Sequence, residues 1–281
     1  MTDYEGPILD NHLHIDPDQG KGFEAVKEFA RAGGTHLLIV NKPSWHLGIE
    51  VDTKADFRPV FEQTIDIANT ASDHLQGKAW PVLGVHPSLI SHLVDDRQIE
   101  PEEAAELMRS GITAASEFIE SGDAIALKSG RPHYDVTDTI WTLSNEVLRH
   151  TLRKANEVDC PVQLHTESSK DLTEIANWAT EIGLSPHRVV KHYAYGELAG
   201  LVPSVMSEKD RLLTAAKHSN PFLMETDFVD DPDRPGAVLG PKTVPRRVKW
   251  MAEQGHTDAI RRAHIDTPRS VYGIDTKETL S

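Results

Sequence analysis

Ile8-Leu9-Asp10-Asn11-His12-Leu13-His14 is the stretch that decides how the chain is read. It begins as an apolar strand and closes on two histidines two positions apart. Alternate residues of a strand share a face, so both imidazoles point the same way. Alone, such a pair fits polar residues leaving a strand as well as it fits a metal clamp. It is not alone. Pro161-Val162-Gln163-Leu164-His165 and Val189-Val190-Lys191-His192 are apolar runs that also end in histidine, and Phe222-Leu223-Met224-Glu225-Thr226-Asp227 ends in a carboxylate. Parallel barrel strands deliver their ends to one rim. Four neutral nitrogen donors and one carboxylate suit a divalent transition metal and have room for two ions.

The same alternation continues outward from this stretch. Strands are predicted at Ile8 to His14, His36 to Asn41, Ala79 to Val85, Ala124 to Lys128, Pro161 to His165, Arg188 to His192, Leu201 to Met206 and Phe222 to Asp227. Several are unbroken apolar runs, as expected for parallel strands covered on both faces. Between them lie amphipathic helix patterns at Gly22 to Ala32, from Pro101 onward, and at Thr137 to Val158. Proline in the first turn and acids behind it mark the start of the second. Eight strands with intervening helices predict a (β/α)8 TIM-type barrel over residues 1–281. An open doubly wound sheet is the alternative, but no G-x-G-x-x-G follows the first strand. From about residue 228 a Pro/Gly-rich loop, Asp230-Asp231-Pro232-Asp233-Arg234-Pro235-Gly236, leads to helices near Arg246 to Gln254 and Thr257 to His264. That loop is expected to form a wall at the barrel mouth.

Composition narrows the function. The 281 residues carry 29 basic against 44 acidic side chains, a net charge of −15, which disfavours a broad nucleic-acid-binding face but leaves room for a local basic pocket. The single cysteine, Cys160, excludes an intrachain disulfide framework and suits a reducing, cytoplasmic setting; it reads as a small core residue. No apolar run spans a bilayer and the first residues carry no secretory pattern, so no membrane association is expected. No obligate protein partner is evident.

Lys128 closes the run Ala124-Ile125-Ala126-Leu127-Lys128, between the other candidate ligands in strand order. An ammonium there would be repelled by metal ions and costly to desolvate. Either it turns outward or pairs with a carboxylate, or it reacts with CO2 to form a carbamate able to bridge two metals.

Together with Leu83-Gly84-Val85-His86-Pro87, Gly130-Arg131-Pro132-His133-Tyr134, Gln163-Leu164-His165-Thr166-Glu167 and Glu225-Thr226-Asp227, these segments resemble the TatD-related, archaeal-type branch of the amidohydrolase superfamily. The resemblance runs over nearly the whole chain. It implies a distorted barrel with one or two divalent ions, zinc foremost, with manganese, iron, nickel or magnesium as alternatives. It implies His12, His14 and Asp227 around a first ion and His165 and His192 around a second. It also implies hydrolysis by metal-activated water of phosphoesters, DNase-type, with a small molecule or a nucleic-acid end as substrate. Lys128 stands where such proteins usually carry glutamate. It resembles the carbamylated lysine of phosphotriesterase-like branches, which points instead to lactones or cyclic amides. A noncatalytic metal-binding barrel is the third reading. Asp227 is the expected proton acceptor for water.

Further candidates carry two readings each. His86 either contacts substrate or caps its turn. Arg131 and His133 either bind an anionic substrate or hold a loop. Lys42 belongs to the same positive pocket or is a solvated loop residue. Glu225 and Asp10 share faces with ligands and either orient them or form buried ion pairs. Trp45, His46 and Trp80 read as packing.

Overall fold

A computed structural model describes residues 4–233 and 238–280. Eight strands follow one another as expected: β1 (Leu9–His14), β2 (His36–Val40), β3 (Ala79–Gly84), β4 (Ala126–Gly130), β5 (Val162–His165), β6 (Val189–Ala194), β7 (Val202–Met206) and β8 (Leu223–Glu225). A short continuation, β9 (Phe228–Val229), returns to β1. All are parallel, and their lateral order is β8-β7-β6-β5-β4-β3-β2-β1-β9. The eighth barrel strand is thus split at Thr226-Asp227. Its first half pairs with β7 and its second with β1, at Leu13↔Phe228 and His14↔Val229. The Asp227 amide donates to the His12 carbonyl at 3.0 Å across the join. The result is the (β/α)8-type barrel, not the open doubly wound sheet.

The period-two alternation separates two layers. Leu38, Val40, Val82, Ala126, Val190 and Leu223 fill the barrel interior. Leu13, Leu37 and Ile39 face outward, against Ala25, Val26 and Phe29 of the helix Phe23–Arg31. Because Leu13 points out, His12 and His14 point in. The helix Pro101–Glu120 starts on its proline, with Glu102 and Glu103 in the first turn. Thr137 caps Asp138–Glu157 by accepting from the Ile140 amide. Helices at Arg58–Ser72, Thr173–Ile182 and Lys209–Ala216 complete the outer layer without having been identified from the sequence. Only 195–201 connect β6 to β7, with no helix between them.

The expected C-terminal helices are present as Thr243–Glu253 and Thr257–Arg261, the latter running on through Arg262–Asp266. The loop before them is pinned. The Asp230 carboxylate accepts from the amides of Asp16 (3.0 Å), Lys21 (2.7 Å) and Gly22 (2.8 Å). Arg234, Pro235 and Gly236 of the anticipated loop lie outside the described residues.

Candidate metal centre

Among the described residues, six imidazoles, three lysines and a carboxylate line a cavity of about 680 Å³ at the C-terminal rim. His14, His86, Lys128, His133, His165, His192 and Asp227 all line it. His12 lies just beneath, fully buried and stacked on His192 with ring centroids 4.0 Å apart. Val229 and Val238 also line the cavity, so the segments on either side of the undescribed residues form the expected wall.

Burial sets the protonation of the site. It holds the imidazoles of His12, His86, His165 and His192 well below the ordinary histidine value, and that of His14 at about 3. All are therefore neutral, which is the form that binds metal. Ligating atoms of His12, His14 and Asp227 lie within 4.8 Å of one another, and so do those of His12, His192 and Glu225. Nε2 of His12 stands 3.9 Å, and Nε2 of His14 4.0 Å, from Asp227 Oδ1. Nδ1 of His165 faces Nε2 of His192 at 2.8 Å. This donor set fits a divalent transition ion at the first cluster and leaves nitrogen ligands for a second.

Lys128 turns inward. Its Nζ sits 2.9 Å from Nε2 of His12, and burial lowers the amine to about 8 against the pull of the Asp227 and Glu225 carboxylates. Its charge in turn depresses His12, His14, His86, His165 and His192. Of the alternatives open in the sequence, the outward-turned lysine is excluded.

The rim backbone is bent where the ligands leave it. Tyr193, at a register shift within β6, and Asp227, at the split of the eighth strand, adopt left-handed φ values of 58° and 48°. Such conformations persist only when the surroundings enforce them. Here buried carboxylates do so. Glu225 Oε1 accepts from the Tyr193 amide at 2.6 Å, while Lys191 Nζ donates to the His192 carbonyl at 2.6 Å, so one peptide unit is gripped at both ends. Asp10 accepts from the Thr226 amide (3.1 Å) and hydroxyl (2.6 Å). Glu225 and Asp10 therefore take the orienting role, not that of buried ion pairs with a lysine or arginine. Burial raises both carboxyls, Asp10 to about 7 despite its Thr226 bonds.

His86 caps its turn and also lines the cavity. Its Nδ1 accepts from the Ser88 amide at 3.2 Å. The proton of this neutral ring is therefore on Nε2, a donor. Arg131 is not brought to the cavity. Its guanidinium donates to Glu167 through Nε (2.9 Å) and Nη2, and through Nη1 to Asn145 (3.0 Å) and Glu174 (3.1 Å), while lying over Trp141. With its donors taken up inside the protein, it holds a loop and offers no anion site. Lys42 lines the cavity but is bound to Asp16 Oδ2 and the Asp230 carbonyl, both at 2.7 Å. It is neither solvated nor free for a ligand. Trp80 packs in the barrel interior as expected, whereas Trp45 and His46 line the cavity. Gln163, not anticipated from the sequence, accepts through Oε1 from Nδ1 of His12 at 2.7 Å. Its position two residues before His165 was the available signal, since it places the amide on the inward face.

A barrel with histidines and an aspartate gathered at its C-terminal rim defines the class of metal-dependent hydrolases. The family model described as TatD related DNase matches residues 9–273, and the chain belongs to that family. The uncharacterized protein MJ1127 of Methanocaldococcus jannaschii is 33% identical over 281 residues, covering 96% of each chain. Among solved structures, the TatD-like protein AF1765 of Archaeoglobus fulgidus superposes with a TM-score of 0.60 at 16% identity, over 95% of this chain and 100% of that one. The lactonase Lmo2620 of Listeria monocytogenes gives 0.60 at 14% identity, over 95% of each chain. Both structures share the fold.

Proposed function

We propose that the chain hydrolyses phosphoesters with metal-activated water, at an ion pair held by His12, His14, Lys128, His165, His192 and Asp227. The convergence of these six side chains on one cavity floor carries the reading. Divalent ions held there would supply Lewis acidity for the phosphoryl oxygen and bring the pKa of water down to about 7. The protein's own part follows from its geometry. Asp227 takes the proton of the attacking water and returns it to the leaving oxygen. His86, with its proton on Nε2, donates to a substrate oxygen. Asp227 is the only carboxylate among the described lining residues, so the cavity is far less acidic than the chain as a whole and, with divalent ions bound, would favour an anion.

One observation favours a second reading, a lactone or cyclic amide as substrate. Lys128, 2.9 Å from His12 Nε2, is placed to become a carbamate, which would replace a repelling ammonium by a bridging anion. A substrate panel on zinc- and manganese-loaded protein separates the two. Turnover of bis(p-nitrophenyl) phosphate or of oligonucleotide ends above that of γ- and δ-lactones is the expected result. The reverse order transfers the assignment to the second reading, and turnover of neither class overturns both.

A further inference from the structure

Each imidazole of the centre has two nitrogens, and the partner of one settles what the other can do. On His14, Nδ1 faces the Val40 carbonyl at 2.8 Å, which only accepts, so the lone pair is on Nε2. On His12, Nδ1 faces Gln163 Oε1 at 2.7 Å. The amide nitrogen of Gln163 is already donating to the Asn11 carbonyl and the Tyr272 hydroxyl, both at 2.9 Å, so Oε1 is the acceptor and His12 too keeps its lone pair on Nε2. On His192, Nδ1 is 3.3 Å from the Glu225 carboxylate, which again puts the lone pair on Nε2. The nitrogen of His165 that faces Nε2 of His192, at 2.8 Å, is Nδ1. Its other nitrogen, Nε2, has one partner, Nδ1 of His133 at 2.8 Å.

We infer that His133 is the positioning residue that holds His165 in its metal-binding tautomer, in addition to any contact with substrate. The inference rests on the metal-centre reading above. Without an ion, the 2.8 Å contact with Nε2 of His192 calls for a proton on Nδ1 of His165; for His165 to present Nδ1 as a ligand, the proton must instead stand on Nε2 and His133 Nδ1 must accept it. His133 then keeps its own proton on Nε2, so the face it turns to the cavity is a hydrogen-bond donor and not a base. Three ligands are backed by groups that accept in any state, a carbonyl, an amide oxygen and a carboxylate. The fourth is backed by an exposed imidazole that accepts in one tautomer only. The clamp on Arg131, two residues earlier, holds that imidazole in reach: Glu167, Asn145 and Glu174 fix the loop after β4 from three sides. Partners of this kind typically govern metal affinity by about 10- to 100-fold.

The test is a titration of the full-length apo-protein with Zn2+ alone, followed by the visible absorption of the Co2+-loaded form. Wild type is compared with His133→Asn, whose amide oxygen can replace Nδ1 as acceptor, and His133→Phe, which has none. His133→Phe is expected to bind the first ion as wild type does and the second about 10- to 100-fold more weakly, with an altered Co2+ spectrum. His133→Asn is expected to restore both. Equal second-ion affinity in wild type and His133→Phe overturns the inference while leaving the metal centre intact, and so does an Asn variant as weak as the Phe variant. A wild-type protein whose ion binding is unchanged by His165→Ala overturns the metal-centre reading itself. Because residue 133 is exposed, all three proteins should share one thermal midpoint.

Discussion

Asp227 joins chemistry and backbone in a single residue. It is one of the three residues of the first cluster, the expected proton acceptor, and left-handed at φ 48°. Asparagine tolerates that conformation nearly as well as aspartate does. Asp227→Asn should therefore fold normally and lose about 100- to 10,000-fold in turnover, with a much smaller change in bound metal. Turnover equal to wild type in a metal-replete variant would refute the proton-acceptor role. Gln163→Leu tests the next layer out. It removes the acceptor for His12 and should weaken the first ion by about 10- to 100-fold, read by competition with a chromogenic chelator. The ligand candidates were legible because imidazoles and a carboxylate at strand ends are conspicuous. Gln163 was not, since an amide inside an apolar run announces no chemistry. Arg131 misled for a different reason. The groups that consume its charge, Asn145, Glu167 and Glu174, come from other elements, and no local pattern reveals them.

At the scale of elements, the site depends on how closely neighbouring strands approach. A Cβ at Gly84 would run into the Lys128 carbonyl of β4, and one at Gly130 into the His165 carbonyl of β5. Gly84→Ala must therefore part β3 from β4 and shift Lys128. A lowered thermal midpoint together with weakened metal binding is expected, and unchanged values for both would contradict the packing described. The wall offers a second test. Lys42 and Asp16 form a buried pair at 2.7 Å, and Lys42→Met strands the carboxylate, a change of about 3–5 kcal/mol in unfolding free energy measured by urea titration. All eight main strands were legible from apolar runs bounded by polar ends. Phe228–Val229 was not, because two residues carry no periodicity. Lys128, read as a strand end, lies in the middle of Ala126–Gly130, since Ser129 and Gly130 continue the ladder to Leu164 and His165.

Across the whole molecule, two histidines remote from the cavity add to the response to acid that the five buried imidazoles of the cavity also give. His264 accepts from the Leu9 amide at 3.0 Å, and burial lowers it to about 3; burial also lowers His36 to about 4. Unfolded, each would titrate near 6.5. Below that pH the unfolded chain binds protons that the native state refuses, so stability falls as pH falls. The loss is about 1.4 kcal/mol per histidine for each pH unit below 6.5, until the folded value is reached. Urea midpoints of the metal-free protein at pH 7.5 and 5.5 should differ accordingly, and the His36→Gln variant should show a smaller difference. An identical difference in that variant would remove His36 from the account.

The passage from β6 to β7 has a consequence for how the barrel breathes. Pro203 stands opposite Lys191 and cannot donate to the ladder, the register shifts between Lys191 and Ala194, and an outer cleft of about 320 Å³ opens beside Leu198, Leu201 and Pro203. This seam thus combines a missing ladder donor, a shifted register and a bordering cleft, and it carries His192. Deuterium should reach its amides before those of β2 and β3, and release of an ion should begin there, as a local parting of two strands with the remaining ring intact.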